Sequence, residues 1–151
     1  MEPKLEPVLT ANARLERPID VGSTPQGVRR VVPILGGRFE GPKLKGEILP
    51  GGADWQFTRA DGVTELEALY LLRTDDGVVI QVRNRGLRHG PEEVMQRLAA
   101  GQPVDPGKYY FRAAPAFSAP EGRYSWLNKS LFLCTGSRQP ASIELFFFRV
   151  A

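Results

Sequence analysis

The residue best placed to do chemistry is a carboxylate set between glycines and a tryptophan, in Gly51-Gly52-Ala53-Asp54-Trp55-Gln56. The segment reads as the start of a β-strand. The glycines let backbone come close, and Trp55 supplies an apolar wall. A carboxyl held in such a place loses water, and its pKa rises. That suits it to proton transfer or to binding a polar ligand. The competing reading is a turn cap, or an ion pair with one of the many arginines.

Other polar residues fall where a strand should be apolar. Arg30 sits within Val28-Arg29-Arg30-Val31-Val32. A guanidinium there needs a buried partner or a ligand anion. Tyr70 shares a strand face with Leu66, Ala68 and Leu72, so its hydroxyl points toward whatever that face lines. Arg112 is expected inward, because Pro115 and the bend after it bring that strand's end near a mouth. Trp126 and Asn128 lie in a loop returning over such a mouth. The candidate catalytic residues are therefore Asp54, Arg112 and Tyr70. Arg30, Trp55, Trp126 and Asn128 are the candidate ligand-binding residues.

In this picture Asp54 is the general acid or base, and Arg112 or Arg30 holds an oxyanion or carboxylate. Tyr70 donates a hydrogen bond, and Trp55 and Trp126 stack on the ligand. The chemistry is a cofactor-free isomerase, lyase or cyclase step on an aromatic or polyketide-like compound. The alternative is a non-catalytic structural or protein-interaction barrel. There Asp54 would pair with Arg30 or Arg112 and the tryptophans would be core.

Composition narrows the classes. The chain has 151 residues, 42% hydrophobic and 25% charged, as expected of one ordinary globular domain over residues 1–151. One histidine, His89, and one cysteine, Cys134, cannot supply the usual nitrogen and sulfur ligands, so no metal and no cofactor are expected. His89 reads as a solvated residue in a strand-to-helix turn. Net charge is only +3, from 20 basic and 17 acidic residues, which argues against nucleic acid. The densest basic run, Arg83, Arg85 and Arg88, has no interleaved aromatics. No apolar stretch marks a membrane span or a secretory leader, so a cytoplasmic location is expected.

The elements that must position these residues are strands. Turn signals, among them Gly41-Pro42, Pro50-Gly51-Gly52, Asp61-Gly62 and Asp75-Asp76-Gly77, cut the chain into about nine short β segments. Expected strands run over 7–17, 27–39, 44–49, 53–59, 66–74, 78–83, 109–113, 129–135 and 142–150. Residues 19–25 read as an irregular connection, and 136–140 as a hairpin. One helix interrupts the series at Pro91–Ala100, with Pro91 opening it, acids in its first turn and Gly101 after it. Its length suits a lid or plug over one end of a sheet. The pattern is that of an antiparallel barrel or sandwich. The last strand, Ile143-Glu144-Leu145-Phe146-Phe147-Phe148-Arg149-Val150, is apolar on both faces, which predicts a homo-oligomer, most simply a dimer, with Phe146 or Phe148 at the contact.

Several ordered motifs resemble one family. They include Val21-Gly22-Ser23-Thr24-Pro25, Gly36-Gly37-Arg38-Phe39, Pro50-Gly51-Gly52-Ala53-Asp54-Trp55, Tyr109-Tyr110-Phe111-Arg112 and Tyr124-x-Trp126-Leu127-Asn128. Together they resemble the small bacterial and fungal proteins grouped as domain of unknown function 3237, from about Leu5 to Val150. The resemblance implies a single-domain, calycin-like antiparallel β-barrel, often oligomeric; the strand pattern makes it one of about 8–10 strands with one short helix, and a barrel of that size has room for a small-molecule ligand in its cavity. It implies no settled activity. Two departures stand out: Phe117 is followed by Ser118 where the family usually has Glu, and the final strand is richer in phenylalanine.

Overall fold

Glycine turns and alternating apolar residues divide the chain into ten strands and one helix, described for residues 1–151 in a computed structural model. The strands are β1 (Leu5–Leu15), β2 (Ile19–Thr24), β3 (Gly27–Glu40), β4 (Lys45–Ile48), β5 (Gly52–Thr58), β6 (Thr64–Thr74), β7 (Val79–His89), β8 (Tyr110–Ser118), β9 (Leu131–Arg138) and β10 (Ser142–Val150). Helix α1 (Glu92–Ala99) joins β7 to β8.

All pairings are antiparallel. The ladder runs from β1 through β10, β9, β8, β7 and β6, and β1 also pairs with β3. β4 and β5 lie end to end between β3 and β6. β4 takes Gly37–Glu40 of β3, and β5 takes Val28–Ile34. β1 and β2 share the other edge of β3 in the same way. The sheet therefore closes as a barrel of eight strand positions, two of which are each filled by two strands end to end. The break between β4 and β5 is the turn at Leu49-Pro50-Gly51, where Gly51 takes φ +102°.

Residues 19–25 depart from expectation. They form β2 because the unpaired edge of β3 offers them ladder partners, Ile19 opposite Val31 and Asp20 opposite Arg30. β7 runs to His89, six residues beyond the expected end. α1 begins at Glu92, with Pro91 just outside as its N-cap. Leu98 is buried, and Val94 and Met95 pack against the core.

The barrel interior has two halves. At one end aromatic rings fill it: Phe117 meets Phe132 edge-on at 4.8 Å and Phe147 at 5.9 Å. A short 3₁₀ turn, Ser125–Lys129, covers this end and buries Leu127. The other half, toward α1 and the β9–β10 hairpin, is lined by smaller side chains and by polar ones. Two glycines shape that half. A Cβ at Gly52 would lie 2.5 Å from the Cβ of Tyr70, and one at Gly136 would lie 2.8 Å from the Phe111 ring. No helix is long and apolar enough to cross a membrane.

Candidate functional site

The half-barrel beneath α1 holds a cavity of about 50 Å³ lined by 17 residues, 12 of them hydrophobic. By the measure of one probe sphere per water, that is room for roughly three or four water molecules. Its polar residues are Asp54, Gln56, Asn84, Arg88 and Arg138, to which Tyr70, one of the twelve hydrophobic residues, adds its hydroxyl. Leu15 and Arg138 also line an outer groove of about 490 Å³, formed with the C-terminal end of α1, Arg30 and the β9–β10 hairpin. Leu15 and Arg138 thus stand between the cavity and the groove.

Strand alternation explains which residues arrive here. On β5, Asp54 and Gln56 are two apart and face inward, so Trp55 must face out. On β6, Leu66, Ala68 and Tyr70 share the inner face. On β7 the inner face runs Ile80, Val82, Asn84, Gly86, Arg88. Asn84 is 6% exposed, Arg88 9% and Tyr70 5%.

The hydrogen bonds inside are few. The Gln56 amide Nε2 donates to Asp54 Oδ2 at 3.0 Å. Arg88 Nη2 donates to Gln56 Oε1 at 3.4 Å. Asp54 Oδ1, Tyr70 OH, Asn84 Oδ1 and the Nε atoms of Arg88 and Arg30 are buried with no partner. Buried polar atoms are nearly always paired, and four of these five belong to residues lining one cavity, which needs a reason. Asp54 belongs to none of the six ion pairs in the protein, all of which lie on the outside. The alternative in which Asp54 pairs directly with Arg30 or Arg112 is therefore not the arrangement found.

Burial sets the electrostatics. It raises the Asp54 pKa, against the opposing pull of the Gln56 hydrogen bond and of the Arg88 and Arg138 charges. It lowers Arg88 to about 10, with Asp54 partly restoring it and Arg138 and Arg30 repelling it. Arg138 is lowered by burial and then by Arg30. The Tyr70 hydroxyl is held well above its usual range by burial, and the Cys134 and Asp54 charges add to the effect. Arg138 is anchored by the hairpin: its Nη1 donates to the Gln139 and Ser142 carbonyls at 2.6 and 3.0 Å. Its backbone N–H donates to the Tyr109 hydroxyl at 3.0 Å. Arg30 Nη1 reaches the Ala99 carbonyl of α1 at 3.5 Å.

The structure thus brings Asp54 and Tyr70 together and sets Arg30 at the mouth. Four expected site residues lie elsewhere. Arg112 points outward, lying 5.5 Å over the Tyr110 ring and donating to the Phe111 carbonyl at 2.8 Å. Phe111, Ala113 and Phe117 take the inner face of β8, and alternation then excludes Arg112. Trp55 is 51% exposed on the outer face of β5. Trp126 packs on Phe132 at the opposite, filled end, with centroids 6.3 Å apart. Asn128 is there too, bridging the Ala119 backbone N–H and carbonyl at 2.8 Å each. His89 is the last residue of β7 and stacks on Tyr110 at 4.9 Å. No group of three or more His, Cys, Asp or Glu side chains is gathered in a geometry that would hold a metal.

Sequence reasoning missed Gln56, Asn84, Arg88 and Arg138. Gln56 was within reach, two residues from Asp54 on the same face. Asn84 and Arg88 continue the period-two face of Ile80 and Val82, but only if β7 runs past Arg83. Arg138 is hidden while residues 136–140 are read as a turn.

The fold is an antiparallel β-barrel of eight strand positions, shared with a family of bacterial proteins. The family model described as "Protein of unknown function (DUF3237)" matches residues 3–150, and this chain belongs to that family. A UPF0311 protein of Rhodopseudomonas palustris is 44% identical over 140 residues, covering 91% of this chain and 92% of that one. The crystal structure of a conserved protein of unknown function from the same species matches with TM-score 0.96 and 38% identity, over 100% of this chain and 99% of the other. A β-barrel-like protein from Acinetobacter baumannii matches with TM-score 0.87 and 37% identity, over 100% and 98%. The same fold, at TM-score 0.74 and 21% identity, over 100% and 96%, occurs in an enzyme from Penicillium herquei.

Proposed function

We propose that this barrel binds a small organic molecule through the cavity beneath α1, and that Asp54 performs acid–base chemistry on it without a cofactor. One observation carries this reading: a desolvated carboxylate shares the cavity with an unpartnered tyrosine hydroxyl and an unpaired buried guanidinium. A raised carboxyl pKa makes Asp54 a better base when ionised and keeps it protonated to higher pH. The ionised carboxylate would take a proton from a carbon beside a carbonyl. Tyr70 OH or the Arg88 guanidinium would hold the oxygen on which charge collects. Returning the proton at another carbon completes an isomerisation, and loss of a leaving group completes an elimination. Arg30 and Arg138 would hold the part of the ligand lying in the groove. The small cavity limits the buried part of the ligand to one functional group, with the remainder outside.

The test is Asp54→Asn, which keeps the Gln56 hydrogen bond and cannot ionise. It should fold as the parent does and lose turnover of any compound the parent converts. Undiminished turnover would refute the catalytic assignment.

A second reading, self-association, is supported by the outer face of β9 and β10. Leu131 is 77% exposed there, with Leu133 next along the same face and Phe146 farther up it, opposite Thr135. Phe148 contributes less, being half-buried opposite Pro7 of β1. Sedimentation at tens of micromolar should show a dimer, and a monomer at that concentration would contradict it.

A further inference from the structure

The cavity polar groups are unequal in charge. Asp54 is the one acidic residue lining it, while Arg88 and Arg138 line it and Arg30 stands at its mouth. Arg88 is the most exacting of the three. It is 9% exposed, its Nε has no partner, and its one side-chain hydrogen bond goes to neutral Gln56 rather than to a carboxylate. Its guanidinium carbon also lies 5.9 Å from the centre of the Phe111 ring. A buried guanidinium without an anion is costly, and its planar fork matches a carboxylate with two parallel hydrogen bonds. Arg30 repeats the pattern, with a buried unpartnered Nε and one long bond to a backbone carbonyl. Farther out, the groove mixes Glu16, Arg17 and Asp20, so the excess positive charge is confined to its inner end.

We propose that the ligand is an organic carboxylate whose carboxylate group is held between Arg88 and Arg138, with Arg30 closing the site from the α1 side. This rests on the cavity being the ligand site and adds the chemical class of what enters. The apolar lining excludes a heavily hydrated dianion. Twelve of the 17 lining residues are hydrophobic, which favours a singly charged, weakly hydrated carboxylate over a phosphate, with the ligand's hydrocarbon or aromatic body lying in the groove outside. Asp54, kept apart from Arg88 by Gln56, is then left free to face the carbon adjoining that body.

The test uses butyrate and benzoate, each beside its neutral isostere, butyramide or benzamide, and beside methyl phosphate. Binding to the full chain at pH 7 is followed by saturation-transfer NMR and by the arginine Nε–H resonances. The carboxylates should bind at least tenfold more tightly than the amides and shift the Arg88 Nε–H signal. Arg138→Gln should remove that preference, and Arg138→Lys should keep part of it. If Arg138→Gln does not fold, Arg30→Gln tests the same charge from the mouth. Equal binding of acids and amides, tighter binding of methyl phosphate, or no carboxylate binding at millimolar concentration would each overturn the proposal. Amide binding that Ala68→Leu abolishes would leave the cavity as a ligand site while removing the carboxylate. Failure of every probe, with no small molecule retained by the protein from cell extract, would remove both.

Discussion

Gln56 stands between Asp54 and Arg88, donating to the carboxylate at 3.0 Å and accepting from the guanidinium at 3.4 Å. The two opposite charges of the barrel interior are thus connected through a neutral amide and form no ion pair. A direct pair would satisfy both groups and close the site. The relay leaves Asp54 Oδ1 and Arg88 Nε buried without a hydrogen-bond partner.

Gln56→Leu removes the relay and leaves Asp54 Oδ2 and Arg88 Nη2 unpartnered. Each abandoned buried polar group costs about 1–3 kcal/mol, and more if charged. The variant should unfold at lower urea than the parent. An unchanged midpoint would mean that the relay carries no energy.

Asp54→Asn should behave oppositely at neutral pH. The carboxyl holds its proton more tightly in the folded chain than in the unfolded one, where 3.8 is its ordinary value. Ionised Asp54 therefore opposes folding. That penalty is absent below about 3.8, grows as pH rises toward the folded value, and is complete above it. The variant should melt no lower than the parent at pH 7, and the gap in its favour should close as pH falls toward 4. A buried pair would have lost about 3–5 kcal/mol on the same change. A large drop in melting temperature at pH 7 would restore the ion-pair reading.

Cys134 is fully buried, and burial pushes its thiol up to about 12. It should resist an aromatic disulfide reagent in the native protein at pH 8 and react fully in denaturant. Rapid native labelling would show that the barrel opens at β9.

Gly136→Ala places a methyl 2.8 Å from the Phe111 ring. The Phe111 ring must shift to make room, and the space beside it is the cavity that it lines. Overpacking of this kind costs about 1–3 kcal/mol, measurable by chemical denaturation. A neutral result would mean that the ring has room to move.

The barrel was legible because its turns are written in glycine and aspartate, and because most strands alternate. The site was legible only in part, and the reason differs from residue to residue. Asp54 stood out through its neighbours, and Tyr70 through the apolar face it shares. Arg88 and Asn84 were lost because Arg83, Asn84, Arg85, Gly86 and Arg88 look like a polar run. Their in-and-out alternation appears only when the β8 ladder is known to extend to His89 opposite Tyr110. Arg112 faces outward because β8 alternates strictly through Phe111, Ala113 and Phe117, and the bend expected after Pro115 does not reverse that alternation. Trp126 and Asn128 do return over a barrel mouth, but over the one that aromatic rings already fill. Which end stays open depends on side-chain volumes summed around eight strand positions, and no local pattern encodes that sum.

The central claim is that the cavity holding Asp54 is a ligand site. Native mass spectrometry of the protein after incubation with a small-molecule cell extract tests it most directly, with Ala68→Leu, whose longer side chain fills the cavity, as the paired control. The account predicts a discrete retained mass on the parent that is absent from a folded Ala68→Leu variant. No retained compound on the parent, or the same compound retained equally by both, would contradict it.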